Sequence, residues 1–261
     1  LKANGQWENT LIVFSADNGG EIRLTETAAN NYPLRGGKFT PWEGGVRVPG
    51  FVSGGYLPES RRGKIEKGMV HVTDWYSTFC HLAGLDPTDK RAAKAGLPPI
   101  DSLNLWPLVS GVNETSPRTE YWIDKNSLIQ NNYKFYNGTT IDYAGWSSTL
   151  FPNASSPQQQ IQPLKKNCQK GCLYDIIKDP NETNDIMSEN MDVAQKLNAR
   201  LEELRKGYYT NNEKGIEKCP KNITGYPSCQ CWAALNIYGG FWGPSEFLPN
   251  STIDFYPNYG E

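Results

Sequence analysis

The sequence predicts an α/β domain in residues 1–115 and a small α+β domain with an irregular tail in residues 116–261. Three patterns lead to this prediction. The uninterrupted apolar run at 11–14 is typical of a parallel strand that is buried on both faces. Short alternating segments between 120 and 136 are typical of antiparallel strands. An amphipathic pattern at about 188–207 predicts one helix that packs on those strands.

In the first domain, a strand predicted at 10–15 ends in the turn Asp17-Asn18-Gly19-Gly20. A loop rich in Gly, Pro and Arg then runs over residues 21–58 and contains a second short strand near 48–53. Loops of that length in a compact domain are usually functional, so we expect this one to belong to a site.

A helix is predicted at 74–84, because three apolar side chains recur on one face and a glycine follows. The three are Trp75, Phe79 and Leu82. Cys80 on this helix is interpreted as a buried free thiol. The segment 86–99 is interpreted as a solvated insertion, and 101–108 as a short helix.

In the second domain, strands are predicted at 120–123, 132–136 and 172–177. The helix at about 188–207 carries one apolar stripe, which we expect to pack against a small sheet. The stripe comprises Ala194, Leu197, Leu201, Leu204 and Tyr208.

Composition argues against two classes of partner. The chain has 26 basic and 28 acidic residues and a net charge of -2, so no basic excess points to nucleic acid. No apolar run approaches the roughly 18 residues of a membrane-spanning helix. We therefore expect neither a nucleic acid partner nor a membrane span.

Six N-x-[ST] sequons in turn-forming surroundings predict N-glycosylation and passage through the secretory pathway. They begin at Asn113, Asn137, Asn153, Asn181, Asn222 and Asn250. The expected location is lysosomal or extracellular, where cysteines are oxidised.

The six cysteines favour disulfides. Cys168 and Cys172 flank a short turn and can bridge each other. Three more cluster near the end of the chain: Cys219, Cys229 and Cys231. With Cys80 set aside, five remain, and an odd number predicts a partner outside this segment. A zinc site built from the C-x3-C and C-x-C pieces is the alternative.

Asp17 and Asn18 follow the predicted buried strand at the edge where open α/β sheets bind ligands. A carboxylate beside an amide oxygen suits Ca²⁺ or Mg²⁺, which prefer oxygen ligands. Taken alone, this Asp-Asn-Gly sequence is also a common turn. The later segment 33–49 adds glycines together with Arg35, Lys38 and Arg47, and a lysine on such a loop near a metal suits a tetrahedral oxyanion. A solvated basic loop is the alternative.

The two segments together resemble one family. TLIVFSADNGG at 10–20 followed by PLRGGKFTPWEGGVR at 33–47 looks like the second half of a type I sulfatase, nearest the arylsulfatase B-like group. The resemblance continues through HVTDW at 71–75, PIDSLNLW at 99–106, LYDIIKDP at 173–180 and GFWGP at 240–244. It implies the C-terminal part of an alkaline-phosphatase-like α/β sandwich, followed by a small domain with an antiparallel sheet and one helix.

By that resemblance, Asp17 and Asn18 would be Ca²⁺ ligands, and Lys38 would bind a sulfate oxygen of a sulfate ester and stabilise charge in the transition state. The nucleophile of the family is a formylglycine made from Cys in C-x-P-x-R, and no cysteine here has that context. We therefore expect an N-terminal part to supply it, possibly disulfide-linked through Cys231. This segment alone is expected to be inactive, and His71 and His81 are interpreted as structural.

Two alternatives stay open from the sequence. One is a phosphodiesterase or phosphatase of the same superfamily, which would have Ser or Thr as the nucleophile. The other is a non-catalytic secreted glycoprotein that keeps the fold. Loops 21–34 and 137–160 are where selectivity for the sulfate ester is expected, although both are equally well interpreted as glycosylated surface loops.

Overall fold

The structure is a computed structural model, and it describes residues 1–22, 29–141, 145–146, 165–208, 225 and 229–242. The chain divides into two compact units, Leu1–Gly207 and Tyr208–Glu261. The domain boundary predicted at 115/116 stays a prediction. The strands are β1 (Ile12–Ser15), β2 (Gly50–Ser53), β3 (Glu120–Asp124), β4 (Ser127–Gln130), β5 (Tyr133–Ile141) and β6 (Lys166–Asp175).

The α-helices are α1 (Glu43–Val46), α2 (Asp74–Leu82), α3 (Lys90–Lys94), α4 (Trp106–Ser110), α5 (Met191–Arg205) and α6 (Cys229–Asn236). Short 3-10 turns lie at Lys2–Asn4, Trp7–Asn9, Glu59–Arg61 and Met187–Glu189. The solvated insertion at 86–99 contains α3, and the short helix expected at 101–108 forms at 106–110 instead.

Strands β3 to β6 form a four-stranded antiparallel sheet in chain order, which confirms the antiparallel pairing, although β4 was not predicted. Successive side chains point to opposite faces, so the sheet has two apolar faces. One face, with Leu128, Phe135 and Leu173, packs against α5. The other, with Ile129, Tyr136 and Tyr174, packs against Trp42 from the Gly-rich loop. The sheet therefore joins the predicted helix to the loop that carries the candidate site.

Helix α5 confirms the predicted amphipathic stripe for most of its length. Ala194, Leu197 and Leu201 are buried against the sheet, and Leu204 is half-buried there. Tyr208 lies beyond the end of the helix and is 40% exposed, so it does not extend the stripe.

The prediction of a parallel strand buried on both faces at 10–15 is wrong for the part of the chain described. Strand β1 pairs antiparallel with β2 in a two-stranded sheet, and Phe14 stacks on Phe51 at a centroid distance of 5.1 Å. The two rings are 49% and 55% exposed. An apolar run alone does not determine the direction of the neighbouring strand, which here is set by the return of the chain at 50–53.

The predicted buried face of α2 is also wrong. Its buried residues are Asp74, Ser77 and Thr78, whereas Phe79 is 47% exposed and Cys80 is a half-buried free thiol. The polar side chains are buried because each bonds the segment 101–105: Asp74 Oδ1 accepts from Leu103 N at 2.9 Å, for example. Arg118 Nε donates to Asp74 Oδ2 at 2.7 Å and compensates the buried charge.

Cys168 and Cys172 form the predicted disulfide, with Cα atoms 5.3 Å apart. Both lie within β6, where Tyr136 pairs with Cys172 but Gly138 already pairs with Cys168. Four residues of β6 therefore span two residues of β5, and the bridge closes this bulge.

In the second unit, α6 ends where Ile237 N donates to Ala233 O at 2.8 Å and Gly240 N donates to Ala234 O at 2.7 Å. Gly239 and Gly240 both have positive φ, as is common after a helix. Among the helices that the structure describes, none has the length and apolar character needed to cross a bilayer.

Candidate active site

The two predicted metal ligands lie directly after β1. Asp17 is exposed and Asn18 is half-buried. Asp17 Oδ1 accepts from Asn18 N at 2.9 Å, and Asn18 Nδ2 donates to Gly19 O at 2.8 Å. The amide nitrogen of Asn18 is thus turned toward the backbone, which leaves its Oδ1 oxygen and the Asp17 carboxylate as candidate ligands.

Backbone contact between glycines joins this turn to the Gly-rich loop. Gly19 N donates to Gly45 O at 2.8 Å, and Lys38 N donates to Gly20 O at 3.0 Å. A Cβ at Gly19 would collide with the Gly44 carbonyl oxygen, and one at Gly37 would collide with the Gly20 carbonyl oxygen. The approach is possible only because side chains are absent, and it brings the Asp17-Asn18 turn beside the Lys38 turn.

The side chain of Asn31 also links the turn after β1 to the Gly-rich loop. Its Oδ1 accepts from Gly20 N at 2.8 Å, and its Nδ2 donates to Gly20 O at 2.9 Å and to Gly36 O at 3.1 Å. One side chain therefore bonds both motifs, and Asn31 is a structural residue of the site that the sequence did not single out.

Lys38 occupies a tight turn. Thr40 N donates to Gly37 O at 3.0 Å, and the Thr40 hydroxyl also donates to this carbonyl at 2.7 Å. Lys38 is half-buried, and its Nζ lies 5.3 Å from the centroid of the Phe39 ring. In the described part of the chain, its ammonium has no ion pair.

The next part of the loop is anchored by buried charges on the sheet. Lys134 Nζ lies 2.9 Å from Glu43 Oε1 and 3.3 Å from Glu182 Oε1, and all three side chains are at most 4% exposed. Glu43 N donates to Glu182 Oε2 at 2.6 Å, and the Tyr136 hydroxyl donates to Glu182 Oε1 at 2.6 Å. This group of four residues is called the buried anchor below.

Burial dominates the electrostatics of the anchor. It raises the pKa of Glu182 above its ordinary value, against the opposing effect of the Lys134 charge. It also raises the pKa of Tyr136 well above its ordinary value, with the Glu182 charge acting in the same direction. Glu182 itself adopts a positive φ of 53° at the turn after β6, which aims its carboxylate at the loop.

Arg35, which the sequence suggests as an anion-binding residue, is engaged in contacts within the protein. Its guanidinium lies 3.9 Å from the centroid of Trp42 and 4.6 Å from that of Trp146, and its Nη1 donates to Glu182 O at 2.8 Å. Arg35 is buried between the loop and the sheet. It therefore holds the loop in place and is not exposed to a ligand.

Arg47, the third cation, lies at the edge of a cleft. Its side chain is 56% exposed, with Nη1 3.8 Å from Glu43 Oε2. The cleft has a volume of about 310 Å³ and is also lined by Asn31, Tyr32 and Leu34. Its walls come from the end of loop 21–34, where the sequence predicts selectivity.

The donors present fit a hard cation. Asp17 and Asn18 offer carboxylate and amide oxygens, and Ca²⁺ takes six to eight oxygen ligands. Among the described residues, no three His, Cys, Asp or Glu side chains form a metal-holding group. Asp17 and Asn18 are the residues of this turn that could hold a Ca²⁺ ion.

The remaining predicted residues occupy different environments. Asn113 is exposed, and Asn137 Nδ2 donates to Asn198 Oδ1 at 2.5 Å. Asn181 has a buried Oδ1 without a hydrogen-bond partner among the residues that the structure describes. The sequons at 153, 222 and 250 lie outside the described residues, and loop 137–160 lies mostly outside them.

His71 packs on Tyr121 at a ring distance of 4.4 Å, and burial lowers its pKa, as suits a structural histidine.

Comparison with known proteins gives one consistent result. The sequence profile of the sulfatase family matches residues 1–85. The chain is 29% identical to arylsulfatase J of Mus musculus over 94% of its length, and 30% identical to a sulfatase of Formosa agariphila over 77%. It spans 41% and 34% of the lengths of these two relatives.

A solved sulfatase structure is also similar to this chain. The PsFucS1 sulfatase from Pseudoalteromonas sp. superposes with a TM-score of 0.57 and 25% identity, over 81% of this chain and 40% of that one. The fold is therefore that of sulfatases, mixed α/β with antiparallel sheets, as the resemblance implies.

Proposed function

We propose that the full-length protein is an arylsulfatase-type sulfuric ester hydrolase, because the sulfatase family profile matches residues 1–85 and arylsulfatase J of Mus musculus aligns with 94% of the chain. In this proposal the chain contributes two Ca²⁺ ligands, Asp17 and Asn18, and one sulfate-binding residue, Lys38. The observation that carries it is the glycine contact between the two turns. That contact brings the backbone of the turn that carries the two candidate oxygen ligands next to the backbone of the turn that carries Lys38.

Lys38 would bind a sulfuryl oxygen of the ester. Charge accumulates on these oxygens and on the leaving oxygen as the S–O bond breaks, so a fixed cation stabilises the transition state more than the ground state. The turn closed by Thr40 fixes the backbone of Lys38, and the partial burial of its side chain limits screening by water.

Asp17 and Asn18 would hold the Ca²⁺ together with ligands from an N-terminal part. The ion, when bound, would supply Lewis acidity and orient the sulfate group. The N-terminal part would also supply the formylglycine nucleophile.

Replacement of Lys38 tests the proposal. In the full-length enzyme, Lys38→Ala should lower kcat/KM on an aryl sulfate by about 10²- to 10³-fold, the usual cost of one preorganised donor. The melting temperature should not change, because Lys38 makes no ion pair in the described part of the chain. Lys64→Ala, an exposed lysine outside both turns, is the matched control and should keep wild-type kinetics. Unchanged kinetics for Lys38→Ala would remove Lys38 from the reaction.

Mass spectrometry of the N-terminal part tests the reaction class. Formylglycine at the nucleophile position would support sulfatase chemistry, whereas serine or threonine there would favour a phosphatase. An unmodified residue of another type would favour a protein that binds without turnover. Addition of a Ca²⁺ chelator should also abolish activity, and recombinant residues 1–261 alone should have none.

Passage through the secretory pathway and a covalent link between Cys231 and the N-terminal part complete the proposal. The sequons and the Cys168–Cys172 bridge support an oxidising compartment. Non-reducing and reducing gels of native protein should differ by a released partner chain, and Cys231→Ser should abolish that difference. A single band of equal mass in both gels would contradict the link.

A further inference from the structure

Two sequons that are equivalent in the sequence lie in different surroundings in the structure. Asn113-Glu114-Thr115 belongs to the irregular segment between α4 and β3, whereas Asn137-Gly138-Thr139 lies inside β5, an inner strand of the four-stranded sheet. The sequon at Asn181 is half-buried and gives no clear contrast. An N-linked glycan is bulky and polar and needs solvent around the amide nitrogen that carries it. The two positions therefore differ in whether they can hold one.

Asn113 is surrounded by exposed residues. All of residues 111–115 are exposed, and the neighbouring Val112 is 79% exposed. The backbone is fixed at this point, because Asn113 N donates to Pro107 O at 2.9 Å at the end of α4. Among the residues that the structure describes, none forms a hydrogen bond with the Asn113 side chain. Its Nδ2 atom can therefore carry a glycan without the loss of a contact.

Asn137 is held between the sheet and α5. Its Nδ2 donates to Asn198 Oδ1 of α5 at 2.5 Å, so its half-buried side chain lies on the sheet face that packs against this helix. Its N donates to Asn126 O at 2.8 Å, and its O accepts from Arg205 Nη2 at 2.6 Å. Both the amide nitrogen that a glycan would use and the backbone around it are engaged inside the protein.

The space beside Asn137 is already filled. A Cβ at the adjacent Gly138 would lie 2.5 Å from Asn126 Cγ. On the other side, Asn198 belongs to α5, which is packed on the sheet through Leu197 and Leu201. A sugar bonded to Asn137 Nδ2 would have to displace the helix from the sheet, because protein interiors are packed too closely to admit one.

We propose that Asn113 is an N-glycosylation site of the folded protein, whereas Asn137 stays unmodified and joins β5 to α5 as a hydrogen-bond donor. The sequence alone predicts a glycan at both. This inference rests on the proposed passage through the secretory pathway. A chain that receives a glycan at Asn137 before it folds cannot close α5 onto the sheet, so it does not reach the folded fraction.

The modification at Asn113 is a transfer from a lipid-linked oligosaccharide diphosphate. A bond forms between Asn113 Nδ2 and C1 of the first sugar, and the bond between C1 and the diphosphate oxygen breaks. The lipid diphosphate leaves with the electron pair of that bond, and Nδ2 loses one proton. The remaining N–H of the amide stays in solvent at this exposed position.

The test uses full-length protein expressed in eukaryotic cells behind an added secretion signal, so that both sequons meet the transferase whatever the native route. An amidase that removes N-glycans converts each glycan-bearing asparagine to aspartate, which mass spectrometry of peptides detects. In the secreted, folded fraction we expect aspartate at 113 and asparagine at 137. Two matched variants remove one sequon each and keep both asparagines. Thr115→Ala should lower the mass by one glycan, and Thr139→Ala should leave the number of glycans unchanged.

Melting temperatures of unglycosylated protein made in bacteria test the second role of Asn137. Asn137→Ala should lower the melting temperature by a few degrees, because Asn198 Oδ1 loses its donor. Asn113→Ala is the matched control and should not change it. Equal melting temperatures for Asn137→Ala and wild type would contradict the role of Asn137 as a link between β5 and α5.

The glycan analysis has two results that would overturn the inference: aspartate at 137 in the secreted, folded fraction, or its absence at 113 there. A glycan on Asn137 that is confined to retained, aggregated protein would support it. Protein from the natural source separates this inference from the proposed function. If none of its sequons carries a glycan, the proposed secretory passage fails, while the signal-bearing protein still decides between Asn113 and Asn137.

Discussion

The turn at 37–40 and the residues on either side of it point their side chains in opposite directions. The turn at 37–40 presents Lys38 and Phe39 outward, with no ion pair for the lysine in the described part of the chain. The flanking residues Arg35, Trp42 and Glu43 point inward onto the sheet and are at most 6% exposed. The turn carries the candidate chemistry, and the flanks hold the turn in position.

This difference shows how to choose between two basic residues that are equally good candidates for anion binding in the sequence. Arg35 and Lys38 are three residues apart in the same Gly-rich segment, and both suit an anion. Arg35 is enclosed between two tryptophan rings and bonded to a carbonyl, so its charge is already used. Lys38 has no ion pair among the described residues, and a cation whose charge is not already paired is the better candidate for ligand binding.

Removal of Lys134 should have the largest effect on stability. Lys134→Met leaves Glu43 and Glu182 buried without their cation, which costs about 3–5 kcal/mol of unfolding free energy for a buried pair. Urea unfolding of the full-length protein measures it. Lys38→Met should leave the unfolding midpoint unchanged and still lower kcat/KM by about 10²- to 10³-fold.

A matched control is Lys90→Met, which removes an exposed lysine 3.6 Å from Asp86 and should not move the midpoint. If Lys134→Met proved as mild as Lys90→Met, the buried anchor would not be what holds the loop.

Arg35→Lys should have an intermediate effect. Lysine keeps the charge but loses the planar stacking on Trp42 and Trp146, so we expect a loss of about 1–2 kcal/mol of unfolding free energy. The Lys38→Arg substitution is the comparison within the turn, and it should change kinetics rather than stability. Equal midpoints for Arg35→Lys and wild type would contradict the structural role of Arg35.

The smallest expected effect is the change of the unfolding free energy with pH that Glu182 causes. The pKa of Glu182 is raised in the folded state, so the folded protein retains a proton that the unfolded chain releases above its ordinary pKa of 4.5. Stability from this group should therefore fall as pH rises from 4.5 through the raised value, by at most about 1.4 kcal/mol per pH unit. Glu182→Gln removes the titrating group and should flatten this slope in urea unfolding measured from pH 4.5 to 7. A difference between the two proteins that stays constant with pH would contradict the raised pKa.

The sequence predicted the second half of the fold better than the first. Alternation at 120–136 and the stripe of α5 report burial directly, because each repeats with the period of its own element. The run at 11–14 has no period, so it could not distinguish a parallel strand from the antiparallel β1. The polar buried face of α2 was missed because its partners lie about 25–30 residues further along the chain.

The site was predicted in part. The glycines and Lys38 were recognised because close backbone approach and a loop cation have local signals. Lys134, Glu182 and Asn31 were not, since nothing near them in the sequence indicates that they contact the loop. An acidic residue in a turn, such as Glu182, is ordinarily solvated.

The disulfide within β6 has a practical consequence for peptide mapping. Lys170 is exposed and lies between Cys168 and Cys172. Trypsin cleavage after Lys170 in unreduced protein therefore leaves two peptides joined by their bridge, and reduction separates them. Because both cysteines belong to one strand, opening this bridge frees no chain on a gel. Any larger fragment released by reduction must have been held by another cysteine.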